Sequence, residues 1–450
     1  MAEISRYQKL KNSLKPLIPK PLFKAGINIF HMFEAIAANI RYGFPARSLK
    51  FIGVTGTNGK TSTTVMIAGI LEAAGYVVGM NSTAIIKDGK KTFENNLDGG
   101  LTNAGPFTMQ KLLRTMKRNG VQWVVMEAAS QALDQHRLWG VTFEGAVITN
   151  LTNEHLDYHG TMENYAKAKA RLFKKTRGVG VVNKDDEWGE FFYKLPGKKV
   201  RYGKNADEYK LKDVHHGSKR TSVTFVINSQ EYEMNLQVQG EFNAYNALAA
   251  IAVTHELGIN IETAIKGLEN IERIPGRMDA VAAGQAFRVL IDYAHTPDAI
   301  KNVLQAARLM TTGKLICVTG AAGERPISRR APVGKIANEL SDILIVTDDE
   351  PFSEDPDKIR KEVLTGVEKG PKTAEVIEVE DRCEAMAKAF EIAKKGDTIV
   401  IAGMGHQKYR SGPKGKEPWD DFAVARDILK GKKNKVCINW HQVFQREVNH

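Results

Sequence analysis

Residues 53–63 read GVTGTNGKTST, between an apolar run and a helical pattern. A glycine-rich turn in that position aims backbone N–H groups and a helix N-terminus at phosphate. Gly56, Thr57, Asn58 and Gly59 would form the cradle, with Ser62 in the helix behind it. The Lys60 ammonium would reach the terminal phosphates of a nucleotide, and the Thr61 hydroxyl would hold Mg²⁺. Val54 stands where the longer GxxxxGK[ST] pattern needs glycine, so the chain carries the shorter GTNGKT form. The order strand, Gly56, Gly59, Lys60, Thr61, helix favours a phosphate loop over an unliganded glycine turn.

Three further groups could act beside it. Glu127 ends the apolar run VQWVVME, and a carboxylate there supplies the hard oxygen that Mg²⁺ prefers. His155 lies in NLTNEHLDYHG (150–160), after a second apolar run; a lone histidine in such a place is ordinarily structural. Lys167 and Lys169 in YAKAKARLF (165–173) fall on a helical pattern, where lysines are ordinarily solvated.

The elements that must position these groups are alternating strands and helices. VQWVVMEAAS (121–130) and GAVITNLT (145–152) read as buried parallel strands with polar ends, where open α/β sheets place their sites. A helix is expected from about Thr61 to Ala74. Residues 219–238 alternate apolar and polar, predicting an antiparallel hairpin, and a helix begins near Ala244. ERIPGRMD (272–279) reads as a hinge. Beyond it FRVLIDYA, KLICVTGA, DILIVTDD and DTIVIAG alternate with helical segments, predicting a second α/β domain. The expected organisation is a basic amphipathic segment (1–49, with a helix over 22–40 and a linker at 42–48), a central domain (50–273), a C-terminal domain (274–429) and a tail (430–450).

Composition is that of a globular protein: 450 residues, 42% hydrophobic and 26% charged. Cys317, Cys383 and Cys437 are scattered, which argues against a zinc ribbon or a disulfide framework and points to a reducing cytoplasm. There is neither a signal-peptide pattern nor an uncharged apolar stretch long enough to span a bilayer. Net charge is +12, and residues 1–50 carry nine Lys/Arg against two acids. No nucleic-acid motif accompanies that charge, so no nucleic-acid partner is expected. The basic segment suits either a solvated helix face or weak association of residues 1–48 with an anionic membrane surface.

GVTGTNGKTST resembles the ATP-binding loop of the Mur ligases and their folylpolyglutamate synthetase relatives, and the likeness runs over about residues 50–428. It implies a P-loop-type central sheet domain followed by a Rossmann-like domain. The activity implied is ATP-dependent amide ligation through an acyl phosphate, adding an amino acid to a muramoyl-dipeptide in peptidoglycan synthesis. By resemblance, His155 in NLTxxHLDYHG becomes a metal-binding residue, and Lys169 becomes a lysine carboxylated by CO₂ that helps hold Mg²⁺ with Thr61 and Glu127. Asn246 in GEFNAYNALAA would contact adenine and Arg277 in IPGRMD the phosphates. Asp292 and His295 in DYAHTPD would meet the nucleotide from across the hinge, implying closure over ATP.

MEAASQALDQHR (126–137) resembles the motif of the tripeptide-synthetase branch. Gln135 and Arg137 would bind the muramoyl-dipeptide, with Thr102 and Asn103 in place of the family's paired threonines. The family's DNPR is DEPF here (Asp349, Glu350, Phe352), and GKGHE is GMGHQ (Gly403, Gln407). Loss of the arginine and the glutamate makes diaminopimelate an unexpected substrate; lysine, another diamino acid or an uncharged residue stays open. Arg325, Arg329 and Arg330 lie in a neighbouring loop and are candidates for a carboxylate. The segment before the loop is shorter than the family's UDP-sugar-binding domain, so the acceptor is either UDP-linked or lipid-linked. Other readings are a Mur-like ligase for a polyglutamate or polymer acceptor, and a non-catalytic scaffold keeping the fold.

Overall fold

The structure, a computed structural model, describes residues 20–99, 101–217, 220–368, 373–412 and 415–432. The early basic residues and most of the expected tail lie outside them. The chain packs as two compact units: residues up to Tyr202 with Ala249–Ala264, and Gly203–Leu248 with the residues from Ile265.

In the first unit β1 (Lys50–Thr55) is buried from Phe51 onward. Such a run needs cover on both faces, which is the condition of a parallel strand inside an α/β sheet. Its companions are β2 (Val78–Asn81), β3 (Ile85–Asp88), β4 (Thr92–Glu94), β5 (Trp123–Glu127), β6 (Phe143–Ile148), β7 (Thr176–Asn183) and β8 (Lys198–Gly203). The order is β8-β7-β6-β1-β5-β2-β3-β4. β5 and β6 flank β1 in parallel, with Val54 opposite both Glu127 and Val147. Their C-terminal ends therefore surround the phosphate loop.

Helix α1 (Lys20–Tyr42) agrees with the expected amphipathic helix. It buries Ala35, Ala38 and Asn39, and Asn39 donates to the Trp139 carbonyl at 3.2 Å. The stretch expected as a linker is packed instead: Pro45–Ser48 forms a 3₁₀ turn with Pro45 and Ala46 buried. Helix α2 (Lys60–Ala73) leaves the phosphate loop and α3 (Pro106–Arg118) packs against α1. Three more helices carry candidate groups: α4 (Ser130–Asp134), α5 (Leu156–His159) and α6 (Met162–Lys174).

The second unit contains an antiparallel meander, β9 (Tyr209–His216), β10 (Thr221–Ile227) and β11 (Gln230–Leu236), which includes the predicted hairpin. It also holds a six-stranded sheet made of β12 (Asp279–Ala280), β13 (Arg288–Asp292), β14 (Leu315–Thr319), β15 (Ile343–Val346), β16 (Glu375–Glu378) and β17 (Thr398–Ala402). These run in the order β12-β13-β17-β14-β15-β16, parallel except for β12. Beneath it Arg382 is fully buried against Asp421 at 2.9 and 2.7 Å and donates to the Ala402 carbonyl. Cys317 is a buried free thiol. Among the described residues no helix is long and apolar enough to cross a membrane.

Candidate active site

The loop is built by its neighbours as much as by its own sequence. Gly56 has φ +149°, and a Cβ there would lie 1.8 Å from Thr149 Oγ1, so no other residue fits. Thr149 at the end of β6 donates to the Asn58 carbonyl at 2.6 Å. Asn150 accepts the Asn58 amide on its side chain at 2.9 Å and the Thr57 amide on its carbonyl at 3.0 Å. Gly59, also at positive φ, caps α2. Gly56→Ala is expected to weaken ADP binding at least tenfold and to lower the melting temperature, because the added methyl must push the loop off β6. Calorimetric titration with ADP checks it; unchanged affinity refutes the fit.

Lys60 donates to the carbonyls of Gly56 at 3.0 Å and Thr57 at 2.6 Å. Lys169, on α6, donates to the same Gly56 carbonyl at 2.7 Å. The two lysine nitrogens thus share one oxygen. Burial first, then the charge of Lys60, pushes the Lys169 amine well below the usual lysine range. Its Nζ also lies 4.5 Å from the Tyr165 ring centroid, and His155 packs edge-on against that ring at 6.2 Å. His155 begins α5 at φ +54° with a half-exposed side chain. Lys167, the other candidate of that segment, is exposed.

Glu127 is fully buried at the end of β5. The Thr61 hydroxyl donates to its Oε1 at 2.7 Å; the Thr83 amide donates to the same oxygen at 2.7 Å and the Thr83 hydroxyl to Oε2 at 2.9 Å. Among the described residues no three His, Cys, Asp or Glu side chains gather as a metal cluster. The expected set contains only Glu127 and His155 of those types, and its other members are a hydroxyl and an amine. The hydroxyl–carboxylate pair of Thr61 and Glu127 is a hard-oxygen pair that fits Mg²⁺.

The expected acceptor residues form the next shell. Thr102 pairs with Thr83 at 2.8 Å. Asn103 donates to the Glu127 carbonyl and accepts the Ala129 amide. Arg137 donates to the Asn103 carbonyl at 2.7 Å, and its Nε has no partner among the described residues. Gln135 donates to the Tyr158 hydroxyl, which donates to Asp134. Ser62 is buried in α2. Sequence reasoning missed Thr83, Thr149, Asn150 and Tyr165. The position of Thr149 and Asn150 at a strand end was a usable signal; Thr83 offered none.

In the second unit Arg277 stacks on Tyr293 at 5.0 Å. Asp292 is buried, and its two oxygens accept the amides of Met278 and Ala294. His295 pairs with the Tyr293 carbonyl at 2.8 Å, and Asn246 donates to Asn243 at 3.2 Å. The DEPF–GMGHQ pair meets directly: Glu350 accepts from Gln407 at 3.1 Å and from the Ser411 amide at 3.0 Å. Asp349 is buried, and burial pushes its carboxyl up to about 7. A Cβ at Gly403 would lie 2.4 Å from Asp349 Oδ2. Phe352 has φ +53°, and Arg325 stacks on its ring at 5.7 Å. Arg330 is not available for a ligand: it is buried between Glu354 at 2.8 Å and Glu362 at 2.6 Å. Of the three loop arginines it is a structural one.

A glycine cradle opening a helix, with a buried carboxylate and two lysines at its rim, defines an enzyme that handles nucleotide phosphates. Residues 54–254 match the Mur ligase middle domain, and 276–405 match the Mur ligase glutamate ligase domain. The UDP-N-acetylmuramoyl-L-alanyl-D-glutamate–2,6-diaminopimelate ligase of Clostridium botulinum is 39% identical over 401 residues, spanning 88% of this chain and 81% of the relative. The UDP-N-acetylmuramyl-tripeptide synthetase of a Roseiflexus species is 37% identical over 86% of this chain and 80% of its own length. A solved diaminopimelate ligase superposes with a TM-score of 0.58 at 29% identity, covering 85% of this chain and 78% of that one. The MurF ligase of Thermotoga maritima, solved with ADP, shares the fold, with a TM-score of 0.66 at 19% identity over 88% of this chain and 83% of its own. The chain belongs to the Mur ligase family, on its tripeptide-synthetase branch.

Proposed function

We propose that this protein is the ATP-dependent, ADP-forming ligase that adds a diamino acid to a UDP-linked muramoyl-dipeptide in peptidoglycan precursor synthesis. The domains would be 50–273 and 274–429, and the compartment the cytoplasm, where ATP is supplied. The observation that carries the reading is the Thr61–Glu127 pair beside a loop whose Gly56 carbonyl holds both Lys60 and Lys169.

The acceptor carboxylate attacks the γ-phosphate of ATP, giving an acyl phosphate and ADP. The incoming amine then attacks the acyl carbon, inorganic phosphate leaves and the amine loses a proton. Lys60 offsets charge on the phosphoryl oxygens. No enzyme nucleophile is required. Lys169, held towards its neutral form by burial, is suited to add CO₂ as a free amine and release a proton, which converts it into a carbamate oxygen donor. Thr61, Glu127, His155 and carboxylated Lys169 would hold Mg²⁺, which neutralises charge on the transferred group. Gln135, Arg137, Thr102 and Asn103 are assigned to the acceptor, and Asn246, Arg277, Asp292 and His295 to the nucleotide.

For the amino acid, the buried Glu350 carboxylate is assigned to a side-chain ammonium. Arg325, stacked on Phe352, restores a cation beside the position where the family arginine is lost. That supports diaminopimelate, with Arg325 on its distal carboxylate. ADP release with UDP-muramoyl-dipeptide and a panel of amino acids tests it. The expected result is turnover with diaminopimelate, and a KM for it raised roughly 10–100-fold by Arg325→Ala, the loss of one charge-assisted contact. Turnover with lysine alone overturns the specificity, and turnover with no amino acid overturns the ligase reading.

A further inference from the structure

Helix α1 places four large apolar side chains in solvent within three turns. Ile29 is 54%, Phe30 44%, Phe33 62% and Ile40 65% exposed. Ile29, Phe33 and Ile40 follow i, i+4, i+11 and so line one face of the helix. The opposite face is already used, because Ala35, Ala38 and Asn39 are buried. Helix α3, packed against α1, contains no acidic residue and carries Lys111, Arg114, Lys117 and Arg118. No ion pair involves any of these four among the described residues, whereas Lys87 of the same unit is neutralised by Glu72. The sequence adds charge of the same sign: Arg6, Lys9, Lys11, Lys15, Lys20 and Lys24 precede the stripe, with Glu3 as the one acid before Glu34.

An apolar stripe beside uncompensated cations is complementary to one kind of surface, in which a hydrocarbon boundary lies beneath a layer of negative charge. A second copy of this chain would bring the same cations face to face, and the repulsion disfavours a symmetric pair. We infer that the α1–α3 surface docks on an anionic lipid bilayer, with Ile29, Phe33 and Ile40 entering the headgroup–acyl boundary and the α3 cations meeting lipid phosphates. Docking of this surface involves no step of the amide-forming reaction.

The test is co-sedimentation of the full chain, without substrates, with phosphatidylcholine vesicles that contain or lack phosphatidylglycerol. Expected is binding to the anionic vesicles alone, reversed by salt. Each basic side chain near such a surface contributes roughly fivefold, so K111Q/R114Q/K117Q/R118Q should lower the partition coefficient by roughly 100-fold or more. I29S/F33S/I40S should abolish binding. Both variants should keep the circular dichroism and ADP affinity of the parent. Absence of sedimentation overturns the proposal, as does binding indifferent to both variants. So does light scattering that shows a dimer which the stripe variant dissociates. If vesicle binding appears only after deletion of residues 1–19, the chain's own N-terminal segment occupies the stripe and the proposal fails for the intact protein.

Discussion

Lys169→Ala should slow ADP release by roughly 10³-fold, and added formate or acetate should restore part of the lost rate. Removing one preorganised group that stabilises developing charge typically costs about 10²–10³ in rate. Lys169 is expected at the upper end because it sits on the Gly56 carbonyl beside Lys60. A small carboxylate can enter the space left by the side chain and supply the oxygen donor that a carbamate would have provided. Lys169→Arg is the discriminating variant. Arginine keeps a positive charge but does not form a stable carbamate, so it should be as inactive as alanine. If Lys169→Arg retains activity, a positive charge is what the site uses, and carboxylation is not required. Rescue by acetate should raise kcat with little change in the KM for ATP.

Arg382→Met should lower the unfolding free energy by about 3–5 kcal/mol, the usual result of stripping one partner from a buried ion pair. Arg382 and Asp421 are both fully buried, and Asp421 also accepts from the Trp419 indole at 2.8 Å. Without Arg382, the Asp421 carboxylate keeps its desolvation penalty and loses its counter-charge. The double variant Arg382→Met/Asp421→Leu should recover most of the loss, since an apolar pair of similar volume is often neutral or better. Urea midpoints at constant slope provide the measurement. A single variant within about 1 kcal/mol of the parent contradicts the argument. Arg382 also draws the Asp349 carboxyl down against the burial that pushes it up. The single variant should therefore favour protonated Asp349 and disturb the proposed amino-acid pocket even where the fold survives.

The phosphate loop was legible in the sequence because its chemistry constrains residue order over eleven consecutive positions. Glu127 was legible as an acid at the end of an apolar strand. What holds that acid was not: Thr83 is 44 residues away in sequence and reaches Glu127 only because β2 lies beside β5 in the sheet. Thr149 and Asn150 meet the loop because β6 flanks β1, a neighbour relation that local periodicity does not encode. The three arginines at 325, 329 and 330 look alike on paper, and burial separates them, since Arg330 is spent on Glu354 and Glu362. Residues 42–48 look like a linker because of Gly43 and Pro45, yet Ala46 joins the core of the first unit. The substitution of Phe352 for the family arginine suggested that a cation was missing; only three-dimensional placement brought Arg325 to the same ring.

The bracing of the phosphate loop has a bearing on ligand affinity. Thr149 and Asn150 clasp the loop with hydrogen bonds made within the protein itself. A receptor already frozen in its binding shape forfeits little disorder when its guest arrives, where each newly immobilised side chain would otherwise cost roughly 0.5–1.5 kcal/mol. Capture should then be governed by how quickly the phosphates shed water, with the loop behaving as a rigid mould.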